Sequence, residues 1–73
     1  MFKIYQSETQ VGMYLIIEVA PPARAWIVSN VHSVELGREY CIEARAMGNL
    51  LGVEPTYREA LAYIRMSLLM EDL

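Results

Sequence analysis

The chain holds one cysteine, Cys41, and one histidine, His32, among its 73 residues. A lone cysteine cannot close a disulfide within its own chain, which excludes a disulfide-stapled scaffold and makes a reducing, cytoplasmic setting the expectation. Long apolar runs are missing as well. The longest, Met13 to Ile17, is far short of the about 20 residues that a membrane-spanning helix needs, so no membrane segment is expected. Met1 to Glu8 shows neither the basic start nor the apolar stretch of a signal peptide, and none is expected. Charged residues make up only 21% of the chain, with a formal net charge of −3. The six cations (Lys3, Arg24, Arg38, Arg45, Arg58 and Arg65) are scattered and form no basic run. A phosphate backbone is repelled on average by such a balance, and a basic protein surface is attracted. The four glycines, Gly12, Gly37, Gly48 and Gly52, match neither a P-loop nor a dinucleotide-binding fingerprint.

What the chain has in quantity is apolar residues, at 55%. A single domain spanning 1–73 is the only division this length allows, and a domain so small leaves much of its surface in water. An excess of apolar residues therefore favours a covered partner surface or an oligomer.

Strand signals fill the first part of the chain. Phe2 to Gln6 alternates weakly and runs into polar residues through Gln10. Met13, Leu15, Ile17 and Val19 give the next strand one apolar face, and Tyr14 and Ile16 make its other face half apolar, so this strand is expected to be central and covered on both sides. Pro21 and Pro22 end it, because proline cannot donate to a ladder. Trp26 to Val31 resumes the β-rich composition, completing a three-stranded antiparallel meander.

The stretch from Ser33 to Leu51 reads two ways. As a helix it aligns Leu36, Tyr40, Ala44, Met47 and Leu51, with Ser33 as cap and Gly48-Asn49 as terminator. As a strand it alternates Tyr40, Ile42, Ala44 and Ala46 with Glu39, Cys41, Glu43 and Arg45. The run Glu-Ala-Arg-Ala-Met favours the helix. The final segment, Tyr57 to Leu73, is a helix opened by a capping box of Thr56 and Glu59. The expected fold is thus α+β: a three-stranded antiparallel meander packed on one face by two C-terminal helices, with a four-stranded sheet and one C-terminal helix as the alternative.

The last helix is apolar on two faces. Tyr57, Leu61, Ile64 and Leu68 share the side expected to face the core, while Tyr63, Met66 and Met70, flanked by Ala62 and Leu69, share another. One small domain has one core to offer, so the second stripe is expected to meet another chain. Tyr63, Met66 and Met70 are the proposed anchor, since methionine repacks readily and tyrosine adds contact area at low entropy cost. Glu59 and the row Glu35, Glu39 and Glu43, spaced four apart on a helix, are expected to form an acidic rim for a basic protein partner. If the stripe pairs with its own copy, the protein is a homodimer and the acidic row is left for the target.

Cys41 and His32 supply the residue types of a nucleophile and its base, but no third orienting group can be identified, and Cys41 reads as a small buried hydrophobe. No enzyme, metal or cofactor is expected.

Three resemblances bear on function. Met47 to Leu61, with Leu51-Gly52-Val53 ahead of a capped helix, resembles the turn and second helix of helix-turn-helix proteins, which implies DNA binding. That turn is one residue short, and the helix sets Arg58 and Arg65 against Glu59, Glu71 and Asp72. Thr56-Tyr57-Arg58-Glu59-Ala60-Leu61 after a hairpin resembles HicB-type antitoxins, although Ser33 to Leu51 interrupts that pattern. The whole layout, tiny, acidic and of mixed strand and helix, is similar in type to small phage-encoded inhibitors such as anti-CRISPR proteins. That resemblance implies a cytoplasmic module that binds and inhibits another macromolecule, and it transfers no residue.

Overall fold

The computed structural model describes residues 1–30 and 32–71. Its elements run β1 (Phe2–Ser7), β2 (Met13–Glu18), β3 (Ala25–Ser29), β4 (His32–Glu35), α1 (Cys41–Ala46, entered through a single 3-10 turn, Arg38–Tyr40), β5 (Gly48–Glu54) and α2 (Tyr57–Glu71). The strands form one five-stranded sheet in the order β4-β3-β2-β1-β5, and every neighbouring pair is antiparallel.

The first four strands form a meander, as hairpins of consecutive strands do. Ser7 tightens the first turn, its Oγ accepting from the N–H groups of Thr9 and Gln10 at 3.3 and 3.2 Å. Gly12, with φ of 77°, supplies the left-handed residue just before β2. Asn30, φ 58°, does the same between β3 and β4. From β4 the chain crosses under the sheet through α1 and returns as β5 on the far side of β1.

Alternation along the strands fills two cores. Register places Ile4, Ile16 and Trp26 in line across β1, β2 and β3, and on the same face Tyr14 stands opposite Val28. These residues are buried under Ala60 and Ile64 of α2, with Phe2, Tyr57, Leu61, Tyr63 and Leu68 packed around them. On the opposite face Tyr5, Leu15, Ile17 and Ala25 are buried under Cys41 and Ala44 of α1. Strand β2 is covered on both sides, as its doubly apolar pattern predicts: Tyr14, Leu15, Ile16 and Ile17 are all buried.

The expected architecture is corrected in three respects. The sheet has five strands, so neither the three-stranded meander nor the four-stranded alternative forms. The helices lie on opposite faces of the sheet. The stretch from Ser33 to Leu51 is neither one helix nor one strand: it divides into β4, α1 and the first half of β5. The physical reason is pairing at long range. Asn49 and Leu50 find their partners in Gln6 and Tyr5, more than forty positions earlier, and no local pattern carries that information. Ser33 is therefore a strand residue and no helix cap, and it accepts a 2.8 Å hydrogen bond from the Tyr57 hydroxyl. Val31, the expected end of the third strand, and Asp72 and Leu73, the expected end of the last helix, lie outside the described residues.

The start of α2 follows the sequence reading. Thr56 Oγ1 accepts from the Glu59 N–H at 3.2 Å, satisfying one of the donors a helix start leaves open. Ile64 is fully buried, and Tyr57, Leu61 and Leu68 pack against the same core.

Candidate functional site

Helix α2 packs on β1, β2 and β5. Tyr57 at its start reaches Trp26 and Ser33 near β4, and Tyr63 further along lies on Gly52 of β5. The first anchor is an aromatic cluster: the ring centroids of Trp26 and Tyr57 are 4.8 Å apart, and those of Phe2 and Trp26 are 6.0 Å apart. The Arg24 guanidinium lies 5.1 Å from the Trp26 ring and bonds Glu18 at 3.0 Å. The second anchor is the Tyr63 ring, which lies over Gly52 of the strand at van der Waals distance, while its hydroxyl donates to the Leu51 carbonyl at 3.3 Å.

With its core face committed, α2 leaves its other side open. Met66, Leu69 and Met70 are 62%, 63% and 69% exposed. On this side lies an open groove of about 360 Å³ lined by Glu54, the last residue of β5, and by Glu59, Ala62, Tyr63, Met66, Ser67 and Met70 of α2. Its walls are mostly apolar, formed by Ala62, Tyr63, Met66 and Met70, and the Ser67 hydroxyl is turned back to the Tyr63 carbonyl at 3.1 Å. Among the described residues the two carboxylates are its only charged lining groups.

Of the residues singled out from the sequence, Tyr63, Met66, Met70 and Glu59 come together in this groove. Glu35, Glu39 and Glu43 do not form the expected helical row. Glu35 belongs to β4, where its carboxylate stands 3.7 Å from Arg24. Glu39 lies in the 3-10 turn and Glu43 on α1, whose packing residues cover the other face of the sheet. The row presupposed a helix through Glu35, and the strand there removes it. Glu54 takes its place at the groove. Sequence reading missed Glu54, although its place just ahead of α2, separated from it only by Pro55 and Thr56, is a signal that could have found it.

The other candidates separate. Cys41 is buried in the second core, as a small hydrophobe would be, whereas His32 is exposed on the outermost strand. Among the described residues no three His, Cys, Asp or Glu side chains gather as a metal site would require. No described helix is long and apolar enough to cross a membrane. The helix-turn-helix likeness is corrected by the backbone: Gly48–Glu54 is a strand, so α2 follows a strand and has no first helix to turn from.

Strand β5 adds a second feature. It forms one edge of the sheet, and a register slip between Ile4 and Tyr5 leaves Leu51 without a partner, as a bulge. Leu50 and Val53, paired with Tyr5 and Lys3, point to the face opposite α2 and are 54% and 43% exposed. Comparison with known protein families, with curated proteins and with solved structures finds no match for this chain.

Proposed function

We propose that this chain is a small acidic protein-protein interaction module, acting as an inhibitor or regulator by occupying a surface of another macromolecule. The observation that carries the reading is the groove between α2 and β5, where Tyr63, Met66 and Met70 form an apolar surface beside the carboxylates of Glu54 and Glu59. An apolar centre with a polar rim is the usual anatomy of a protein interface. Exposed methionines suit a contact surface because their side chains adapt to the partner. The sparse cations and net charge of −3 favour a partner with a basic surface over a nucleic acid.

The test compares capture by the wild-type chain with capture by two variants in its native host. Met66→Glu places a charge in the groove, and Val34→Glu places one on the far edge of the sheet. The reading expects one partner, identified by mass spectrometry, to be retained by Val34→Glu and lost from Met66→Glu. A partner held equally by both variants would contradict it. So would sub-micromolar binding of duplex DNA that weakens steeply with salt.

A further inference from the structure

We infer that the occupant of the groove is an extended segment of a partner protein, which joins the sheet as an additional strand beside β5. It seats an apolar side chain against Tyr63 and Met66 and brings a lysine or arginine to Glu54 and Glu59. This rests on the interaction-module reading and specifies how the partner is held.

The edge position of β5 supplies the backbone chemistry. No described strand pairs with its outer side, where an edge strand turns alternate N–H and C=O groups. The opposite edge, β4, is shorter at four residues and ends in Glu35, already engaged by Arg24. Strand β5 runs for seven residues and carries no charge before Glu54.

Exposure on both faces of β5 selects a strand over a helix as the occupant. Leu50 and Val53 are exposed on the face opposite α2, and the groove opens on the α2 face. A helix laid in the groove covers one side only. A strand beside the last part of β5 sends alternate side chains to both, so one segment covers Val53 below and meets Tyr63 and Met66 above.

Charge gives that segment its composition. Glu54 from the strand and Glu59 from the helix both line the groove, and none of its described lining residues is cationic. The ion pairs among the described residues all involve Arg24 and lie away from it. A basic side chain at this position is therefore the complement, with apolar residues running on toward Met70. The bulge at Leu51 argues against a second copy of β5 as the occupant. It breaks the edge into Gly48–Leu50 and Gly52–Glu54, and such breaks oppose the long, uniform pairing of edge with edge. A short segment pairing along Gly52–Glu54 is compatible with it.

The probe is a displayed library of random 12-residue peptides, selected on the full chain, with the enriched peptides then synthesised. They are expected to alternate apolar residues and to carry a lysine or arginine. N-methylation of alternate backbone amides in the peptide should weaken binding by at least about tenfold, and methylation of the intervening amides should not, since only every other amide faces β5. The double variant Glu54→Gln, Glu59→Gln should weaken binding by about tenfold and flatten its salt dependence. Circular dichroism checks that each variant is folded. Peptides that need Met66 but are indifferent to the position of N-methylation would overturn the added strand while leaving the module reading intact. So would enrichment of acidic peptides, or a wild-type dimer that Met66→Glu dissociates. Enrichment of nothing that is sensitive to Met66→Glu also overturns the inference, and the host capture experiment then decides the module reading separately.

Discussion

The two edges of the sheet differ in how far each is tied back to the rest of the molecule. Strand β4 is short and polar, and it is tied back to the molecule: Ser33 accepts from Tyr57, and Glu35 stands beside Arg24. Strand β5 is longer and carries no charge before Glu54, and no described strand pairs with its outer side. A chain selected only to fold would gain by blunting both edges, since an apolar edge invites unwanted pairing. Here one edge is blunted and the other is left available except for a single bulge. The contrast teaches that exposed apolar residues of β5 (Leu50, Leu51 and Val53) and of the open side of α2 (Met66, Leu69 and Met70) occupy one flank, while others, such as Val11 and Val34, stand apart from it.

The largest expected effect concerns the inward side of α2, against which the open side is to be judged. Ile64→Ala removes a fully buried side chain from the core between α2 and the sheet and should cost about 2–5 kcal/mol in urea melts. Met66→Ala, two positions on and 62% exposed, should cost no more than about 0.5 kcal/mol. Equal losses at the two positions would erase the distinction between the faces of the helix.

Next comes the join between β5 and β1. A Cβ at Gly48 would stand 2.7 Å from the Gln6 carbonyl oxygen and 3.1 Å from Tyr5 Cβ, too close for either to remain in place. Gly48→Ala should therefore destabilise the chain by about 1–3 kcal/mol. Amide exchange should show the loosening first in β5 and leave β4 unchanged. Uniform loosening would mean that the two edges are not independent.

Both effects bear on how much of the molecule was legible in the sequence. The core face of α2, its capping threonine and the doubly covered β2 are readable because each depends on spacing within one segment: Tyr57, Leu61, Ile64 and Leu68 recur at helical intervals wherever the helix is placed. Gly48 and Gly52 read as a helix end and a turn, since glycine most often serves those roles locally. Their actual use depends on Gln6 and Tyr63, residues that pairing and packing bring close. The candidate site divides along the same line. Tyr63, Met66 and Met70 share a face that periodicity marks and Glu59 lies on the same helix, whereas Glu54 stands at the end of a strand that the local pattern does not reveal. The acidic row was lost because Glu35 stands in a strand whose four residues, His-Ser-Val-Glu, carry little strand signal of their own.

A smaller effect sharpens the comparison at the polar edge. Tyr57→Phe removes the hydroxyl that bonds Ser33, a bond at the surface, and should cost about 0.5–1 kcal/mol by urea melt with no change in association. Val34→Lys on the same edge should stay within about 0.5 kcal/mol of wild type, because Val34 is already 59% exposed. A large loss of partner binding from either change would move the binding surface to the wrong edge.

The central claim, that the β5 flank of α2 serves association and not folding, is tested most directly by Met66→Glu measured twice, once by circular dichroism melting and once by capture of the partner. The account predicts an unchanged fold, with stability within about 0.5 kcal/mol of wild type, and loss of capture. An unfolded variant would show that Met66 belongs to the core, and a folded variant with undiminished capture would show that the groove is not the interface.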